Sequence, residues 1–314
     1  MISTVTLNPA LDKTVYVPKL ACNATNRVTK VEIDAGGKGI NCARMLRELG
    51  IETQAVTFLG GDAGDYIRMV MDRAGIPIVS VSTKKPTRTC IAVEEAAGAP
   101  PTTLNERGGP VEHSELVQML ERAKDTARES DYMVFGGSVP LGINFDIYNA
   151  LIQIARAGGA RAVLDADGKA LLEGLKAKPF MIKPNLQEAE NALGKKFESK
   201  SDVARGTLAF AEMGIELVVI SLGQQGAIAF CEGMIYDVVP PEVKSVSSIG
   251  SGDSLIAGVL CGLSNGASIE DALKLGCAAG AATAMSNGAD VGHKSDIDDI
   301  LPQVKVTRIE PAPV

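Results

Sequence analysis

The segment Ser248-Ile249-Gly250-Ser251-Gly252-Asp253-Ser254 sets two glycines around a serine, immediately before an apolar stretch at helical spacing, residues 255–263. Glycine lets a backbone approach a ligand with no Cβ in the way. Amide N–H groups at a helix start lack intrahelical partners, and the helix dipole adds positive potential there. The amides of Gly250, Ser251 and Gly252 therefore form a candidate anion hole. Asp253, in the first turn, is placed to take a proton from a hydroxyl while those amides hold a phosphoryl group. Phosphoryl transfer requires mainly positioning and charge stabilisation, which this arrangement supplies. The plain alternative is a helix N-terminus with an acidic first-turn residue.

A second glycine turn, Gly36-Gly37-Lys38-Gly39-Ile40-Asn41, opens another helical pattern. Its spacing is not that of the G-x-x-x-x-G-K-[ST] phosphate loop. Its backbone amides, with the Asn41 side chain one turn along, can bind vicinal hydroxyls, and Lys38 adds a cation. In Lys183-Pro184-Asn185-Leu186-Gln187-Glu188, Asn185 and Glu188 are three apart and share one helix face. Asn at the N-cap with Glu at the third helical position is also a capping box. Lys183 adds a cation just before that helix. Ser221-Leu222-Gly223-Gln224-Gln225-Gly226 is a glycine turn between two apolar strands. Asp165-Ala166-Asp167-Gly168 follows a strand at the sheet's carboxyl end, and is read as support for a site or as a turn, outside the catalytic set.

The elements that must hold these segments show in the periodicity. Short apolar runs at 55–59, 133–135, 162–164, 181–182 and 217–220 read as strands buried on both faces. Residues 40–49, 114–128, 252–263 and 269–285 carry apolar side chains at helical spacing. This alternation predicts an α/β fold with a mainly parallel sheet, one domain over residues 1–314. Residues 13–17, 27–33 and 87–94 instead alternate polar and apolar side chains, the pattern of strands with one wet face. They are expected to form a small sheet projecting over a cleft as a lid, through which two copies can pair as a homodimer. Extra edge strands of the main sheet are the alternative.

Composition excludes several function classes. A net charge of −7 offers no basic stripe for nucleic acid. No apolar run reaches about 18 residues and no signal-peptide pattern opens the chain, so no membrane partner and a cytoplasmic location are expected. The six cysteines include no C-x-x-C pair and read as free buried thiols, not zinc ligands. Two histidines, His113 opening a polar helix and His293 in a glycine-rich turn, leave little for histidine-based catalysis. The nicotinamide fingerprint after a first strand is missing.

The run from Gly250 to Gly258, G-S-G-D-S-L-I-A-G, resembles the C-terminal signature of the ribokinase-like (PfkB) family of carbohydrate kinases, with Ser251 in place of the commoner alanine. Residues 36–41 resemble its N-terminal signature. Asn8-Pro9-Ala10-Leu11-Asp12, followed by that turn, is similar to the 1-phosphofructokinase and tagatose-6-phosphate kinase group. The resemblance runs from Asn8 to about Asn287. It implies a three-layer α/β/α fold with a small β-sheet lid, ATP as co-substrate and Mg²⁺. It also implies Asp253 as catalytic base, with Gly250, Ser251 and Gly252 around the transferring group. Asp12, Gly37, Lys38, Asn41 and Arg88 are implied for the sugar phosphate, Arg88 and Lys38 clamping its existing phosphate and Arg27 a weaker third. Asp12 capping a turn after Pro9 is the alternative for that residue.

For the nucleotide the resemblance implies Lys183, Asn185, Glu188, Ser221, Gly223 and Gly226, with Ser286 and Asn287 near the adenine. Asn185 and Glu188 would act on Mg²⁺ through water, not as direct ligands. Leu104-Asn105-Glu106-Arg107-Gly108-Gly109-Pro110 resembles the group's N-E-P-G-P, with Arg-Gly replacing a proline. The expected function is phosphorylation of a ketohexose phosphate. Fructose 1-phosphate comes first and tagatose 6-phosphate second, with fructose 6-phosphate also open. A non-catalytic sugar-phosphate-binding regulator is the rival, against which intact Asp253 and its glycines argue.

Overall fold

Strands covered on both faces must be apolar at consecutive positions, and the central strands of this chain are. The computed structural model describes residues 1–95, 101–288 and 290–310. The first part of the chain contributes β1 (Ile2–Thr6), β2 (Ala10–Val17), β3 (Lys30–Gly36), α1 (Lys38–Glu48), β4 (Thr53–Leu59), α2 (Gly61–Arg73), β5 (Ile78–Ser82), β6 (Arg88–Glu95) and β7 (Thr102–Asn105). The middle contributes α3 (His113–Arg128), β8 (Tyr132–Gly136), α4 (Ile147–Gly158), β9 (Arg161–Asp165), α5 (Gly168–Leu175), β10 (Met181–Ile182), α6 (Leu186–Leu193) and α7 (Lys200–Glu212). The last part contributes β11 (Leu217–Ser221), β12 (Ala227–Cys231), β13 (Met234–Val239), α8 (Ser251–Ser264), α9 (Ile269–Met285), α10 (Lys294–Ile300) and β14 (Lys305–Ile309).

Among the described residues, ten strands form one sheet in the order β14-β13-β12-β11-β10-β9-β8-β1-β4-β5. From β11 to β5 every neighbouring pair is parallel. From β11 to β14 the pairs are antiparallel. Successive side chains feed opposite cores. Met133, Phe135, Val218 and Ile220 pack with Met119 of α3, Leu151 of α4, Leu171 of α5, Ala189 of α6 and Phe210 of α7. Tyr132, Val134, Leu217 and Val219 pack with Met45 of α1, Ile256 of α8, Ala278 of α9 and Ile297 of α10. The result is three layers, α/β/α.

The polar–apolar strands form their own sheet, in the order β3-β2-β6-β7, and are not edge strands of the large one. Its register sets Asp12 opposite Asp34 and Cys90, and Ala10 opposite Arg88. The third strand starts at Lys30, not at Arg27. Thr29 closes the preceding turn, its N–H donating to Tyr16 O at 2.9 Å. The fourth strand, β7, was not legible in the pattern, because all four of its residues are exposed. All six cysteines are free. Cys42, Cys231, Cys261 and Cys277 are buried, but Cys90 is partly open and Cys22 exposed, since both lie outside the two main cores. No described helix is long and apolar enough to cross a membrane.

Candidate active site

Parallel strands end together, so the large sheet gathers its carboxyl-terminal loops on one edge. There the chain leaves β8, β9, β10 and β11 beside the first turns of α1 and α8, with the small sheet alongside. The enclosed cleft is about 1060 Å³, lined among others by Asp12, Lys38, Arg88, Asp165, Lys183 and Asp253.

At its base, Gly250 caps α8 at φ +77°, a conformation few residues other than glycine adopt, and accepts from Ser254 N–H at 2.9 Å. Asp253 follows in the first turn and is 7% exposed. Lys183, 4% exposed, leaves the end of β10 and brings its ammonium over this turn. A Cβ on Gly252 would stand 2.9 Å from Lys183 Nζ. Glycine is thus what allows a cation to close on the candidate anion hole.

Asp165, at the end of β9, organises the cations. It is 1% exposed. Its Oδ1 accepts from Lys38 Nζ at 3.0 Å and lies 3.5 Å from Lys183 Nζ. Lys38 Nζ is also 3.9 Å from Glu188 Oε1. Burial pushes the Asp165 carboxyl up, but Lys183 and Lys38 outweigh it and hold it below the usual carboxylate range. Burial works against the Lys38 charge, yet Asp165, Glu188 and Asp253 together raise its pKa. Asp253 goes the other way. Burial, then the Asp165 charge, push it up to about 7, opposed by Lys38, by a hydrogen bond from Asn41 and by Lys183. One buried carboxylate stays ionised and its neighbour is poised near neutrality, as a general base requires.

The lid side carries its own charges. Asp12 on β2 is pushed up to about 6 by burial, with Arg88 lowering it and Asp34 raising it. Arg88, opening β6, donates from Nε and Nη2 to Asn8 O at 3.3 and 3.1 Å, and from Nη1 to Glu106 O at 2.9 Å. Glu106 Oε2 in turn accepts from Thr89 N–H at 2.9 Å, and Asn8 Nδ2 donates to Ser138 Oγ at 3.0 Å. The N-E-R-G segment thereby ties the lid strand to the loop after β1.

Asn185 and Glu188 form the capping box. Asn185 Oδ1 accepts from Glu188 N–H at 2.9 Å and Glu188 Oε2 accepts from Asn185 N–H at 2.8 Å. Ser221 N–H donates to Pro184 O at 3.0 Å, joining that cap to the Ser221–Gly226 turn. Gly37, Ser221, Gly223 and Gly226 all line the cleft.

Residues 5–295 match the model of the pfkB family carbohydrate kinase. The chain is 33% identical over 309 residues to 1-phosphofructokinase of Bacillus subtilis, covering 98% of this chain and 100% of that one. It is 32% identical over 314 residues to tagatose-6-phosphate kinase of Staphylococcus epidermidis, again 98% and 100%. The crystal structure of phosphofructokinase-2 from Escherichia coli in complex with potassium matches with a TM-score of 0.90 at 30% identity, over 96% of this chain and 98% of that one. The chain belongs to the pfkB family of carbohydrate kinases. As a pfkB kinase it is an ATP-dependent phosphotransferase acting on an alcohol group of a carbohydrate.

Within this pfkB kinase the sequence-expected residues fall into two groups. Asp253, the glycines beside it, Lys183, Asn185, Glu188 and the Ser221–Gly226 turn lie along the large sheet. Asp12 and Arg88 lie on the small one. Lys38 and Arg88, expected as one phosphate clamp, point to different partners: Lys38 to Asp165 and Glu188, Arg88 to the lid and Asn8 O. Asn41 reaches Asp253. Arg27 is exposed and, like Ser286 and Asn287, is not among the residues lining the cleft; Gly280, Ala281 and Ala284 of α9 are. Asp165 lies in a D-A-D-G segment that in sequence reads equally as a turn, outside the catalytic set. The signal that favoured it was its place at the carboxyl end of a buried strand. Pro240, Pro241 and Glu242 also line the cleft, and no sequence signal marked them.

Proposed function

We propose that this pfkB kinase phosphorylates a ketohexose phosphate, converting fructose 1-phosphate to fructose 1,6-bisphosphate, with tagatose 6-phosphate the second substrate to test. The observation that carries this reading is the division of charge in one cleft. A buried aspartate and two lysines stand at the glycine turn, and a separate guanidinium stands on the lid. A substrate with a phosphate at one end and a primary hydroxyl at the other matches that division. The names of the relatives support both candidate substrates.

In this reading Asp12 accepts from sugar hydroxyls, and Arg88, whose planar fork suits phosphate, holds the existing phosphate. Gly37 lets the sugar approach α1. Lys38 is better assigned to the transferring phosphoryl group than to the clamp, because its partners lie at that end of the cleft. Asp253 takes the proton of the primary hydroxyl as its oxygen attacks the γ-phosphorus of ATP; the bond from that phosphorus to the β,γ-bridging oxygen breaks and ADP leaves. The amides of Gly250, Ser251 and Gly252, with Lys183, stabilise charge on the group in transit. Ser221, Gly223 and Gly226 border the nucleotide.

Among the described residues no group of three or more His, Cys, Asp or Glu could hold a metal ion. In this reading Mg²⁺ would be held mainly by ATP phosphate oxygens and water. Asn185 and Glu188 would orient that water, since Glu188 Oε1 is not used by the cap. When bound there, Mg²⁺ neutralises charge on the nucleotide phosphates. The lid exposes Val31, Ile33 and Leu104, which supports a homodimer formed through this sheet; light scattering on the purified chain tests it. Six unpaired thiols suit a reducing cytoplasm.

A coupled ADP-release assay over ketose monophosphates and the corresponding free sugars tests the substrate. Fructose 1-phosphate is expected to show the highest kcat/KM. Equal efficiency on free fructose would remove the phosphate clamp from the mechanism.

A further inference from the structure

The three hydrogen bonds of the Arg88 guanidinium all go to neutral backbone carbonyls, two to Asn8 O and one to Glu106 O. No ion pair holds it among the described residues. A guanidinium carries five N–H donors. One N–H on each Nη therefore remains, together with a charge that no adjacent carboxylate neutralises. The stem is fitted closely as well. Gly108 lies beneath it at φ +81°, and a Cβ there would stand 3.6 Å from Arg88 Cδ and 3.1 Å from Asn8 Oδ1.

An acidic residue two strands' width away would be expected to pair with such a cation, yet Glu106 offers it a carbonyl. The pairing of β6 with β7 explains how. The two strands run antiparallel with Cys90 opposite Asn105. One step on, Glu106 N–H donates to Thr89 O at 3.3 Å, which extends the ladder by a rung. In a regular antiparallel ladder such a pair exchanges both bonds, so Thr89 N–H would return to Glu106 O. Here Thr89 N–H donates to Glu106 Oε2 at 2.9 Å instead. The carboxylate stands in for its own residue's carbonyl. The carbonyl is released from the ladder and accepts from Arg88 Nη1 at 2.9 Å. Arg88 and Asn8 line the cleft, whereas Glu106 is not among the residues lining it.

We infer that Glu106 is a positioning residue for Arg88: its carboxylate takes the Thr89 N–H so that its carbonyl can hold the guanidinium, leaving two N–H groups and the charge for the substrate's phosphate. A fork held in place before the ligand arrives loses less freedom on binding. The inference rests on the reading above in which Arg88 holds that phosphate.

Glu106→Ala removes the side-chain acceptor. Thr89 N–H then claims the Glu106 carbonyl, and Arg88 loses that partner. Glu106→Gln keeps an acceptor oxygen at the same reach while removing the charge. The readouts are kcat and both KM values, from ADP release with the ketose monophosphate of highest kcat/KM in the panel above. Glu106→Ala is expected to raise KM for the sugar phosphate about 3- to 10-fold, the worth of one hydrogen bond, with kcat and KM for ATP changed less than about twofold. Glu106→Gln should stay within about twofold of wild type in all three. An unchanged sugar-phosphate KM in Glu106→Ala overturns the inference. So does a Glu106→Gln enzyme that behaves like Glu106→Ala, since charge and not the acceptor would then matter. Arg88→Ala separates this from the clamp reading. An unchanged sugar-phosphate KM in that variant sinks the clamp, on which the inference stands. If Arg88→Ala raises that KM, adding Glu106→Ala should cost less than about twofold more, because both act through one group. A full second loss in that background refutes positioning while leaving the clamp in place.

Discussion

Replacing Asp165 by Asn removes one charge at almost constant volume from the most enclosed ion cluster of the site. The carboxylate is 1% exposed, 3.0 Å from Lys38 Nζ and 3.5 Å from Lys183 Nζ. Removing one partner of a buried ion pair costs about 3–5 kcal/mol. Here the carboxamide oxygen can still accept from one ammonium, and Lys38 is partly open to water, so the lower end, about 3 kcal/mol, applies. Unfolding entropy of about 2.1 cal/mol/K per residue then converts the loss to a Tm drop of about 5 °C. The loss should depend on pH. The Asp165 carboxyl is held below its unfolded value, so its contribution is complete above that value and fades as pH falls through the folded one. The Tm difference between wild type and variant should therefore be full at neutral pH and shrink in acid. Catalysis should respond with a separate sign. Asp165 raises Asp253, which stands at about 7, so without it Asp253 ionises at lower pH. The normalised kcat profile should move its acid limb downward. Thermal melts and ADP release measured over the same pH series read both effects. An unchanged Tm, or an acid limb displaced upward, would refute the treatment of Asp165, Lys38, Lys183 and Asp253 as one electrostatic unit.

Asp253→Asn should lower kcat about 10²–10⁴-fold while ATP and sugar-phosphate binding, read by calorimetry, stay near wild type. Its folded pKa is raised from 3.8 to about 7, so the stability held by the protonated group is full below the unfolded value, falls as pH rises between the two and is gone above about 7; the Tm of the variant relative to wild type should climb across that window and level off above it. Arg88→Ala should raise KM for the sugar phosphate by the equivalent of about 1.5–3 kcal/mol with little change in KM for ATP; equal effects on both would place Arg88 elsewhere. In hydrogen exchange, sugar phosphate should protect Ala10–Val17, Lys30–Gly36 and Arg88–Glu95, while ATP alone protects mainly the Ser221–Gly226 and Gly250–Asp253 turns. Tight sugar-phosphate binding with no change in those strands would remove the lid from the mechanism.

Much of this architecture was legible because burial leaves a mark on neighbouring residues. The central strands read as unbroken apolar runs because helices cover both faces, and α9 spans the very residues, 269–285, whose spacing marked a helix. The lid strands stood out by their polar–apolar alternation, but burial does not follow it as a wet polar face would: on β3 the apolar Val31 and Ile33 are exposed, while Glu32 and Asp34 are half-buried. β7, exposed throughout, left no period to read. The place of Asp253 in the first turn of α8 was legible for a similarly local reason: the glycines, the helix start and the acid all lie within a few residues.

Lys38 shows where such locality ends. In sequence it belongs to a glycine turn flanked by lid strands, so pairing it with Arg88 on the substrate's phosphate was the natural reading. In space the chain leaves β3 at Gly36 and turns at once into α1, which packs on the large sheet. That turn carries Lys38 away from the lid and down to the end of β9, a partner 127 residues distant. Arg88 begins β6 and stays with the small sheet, where Asp12 and Cys90 feel its charge. Two cations of one cleft thus acquire different partners from the sheet each is attached to. Neither residue type nor spacing decides this. The strand order β8-β9-β10 does, because it sets Asp165 beside the chain that delivers Lys183 and under the helix that delivers Lys38.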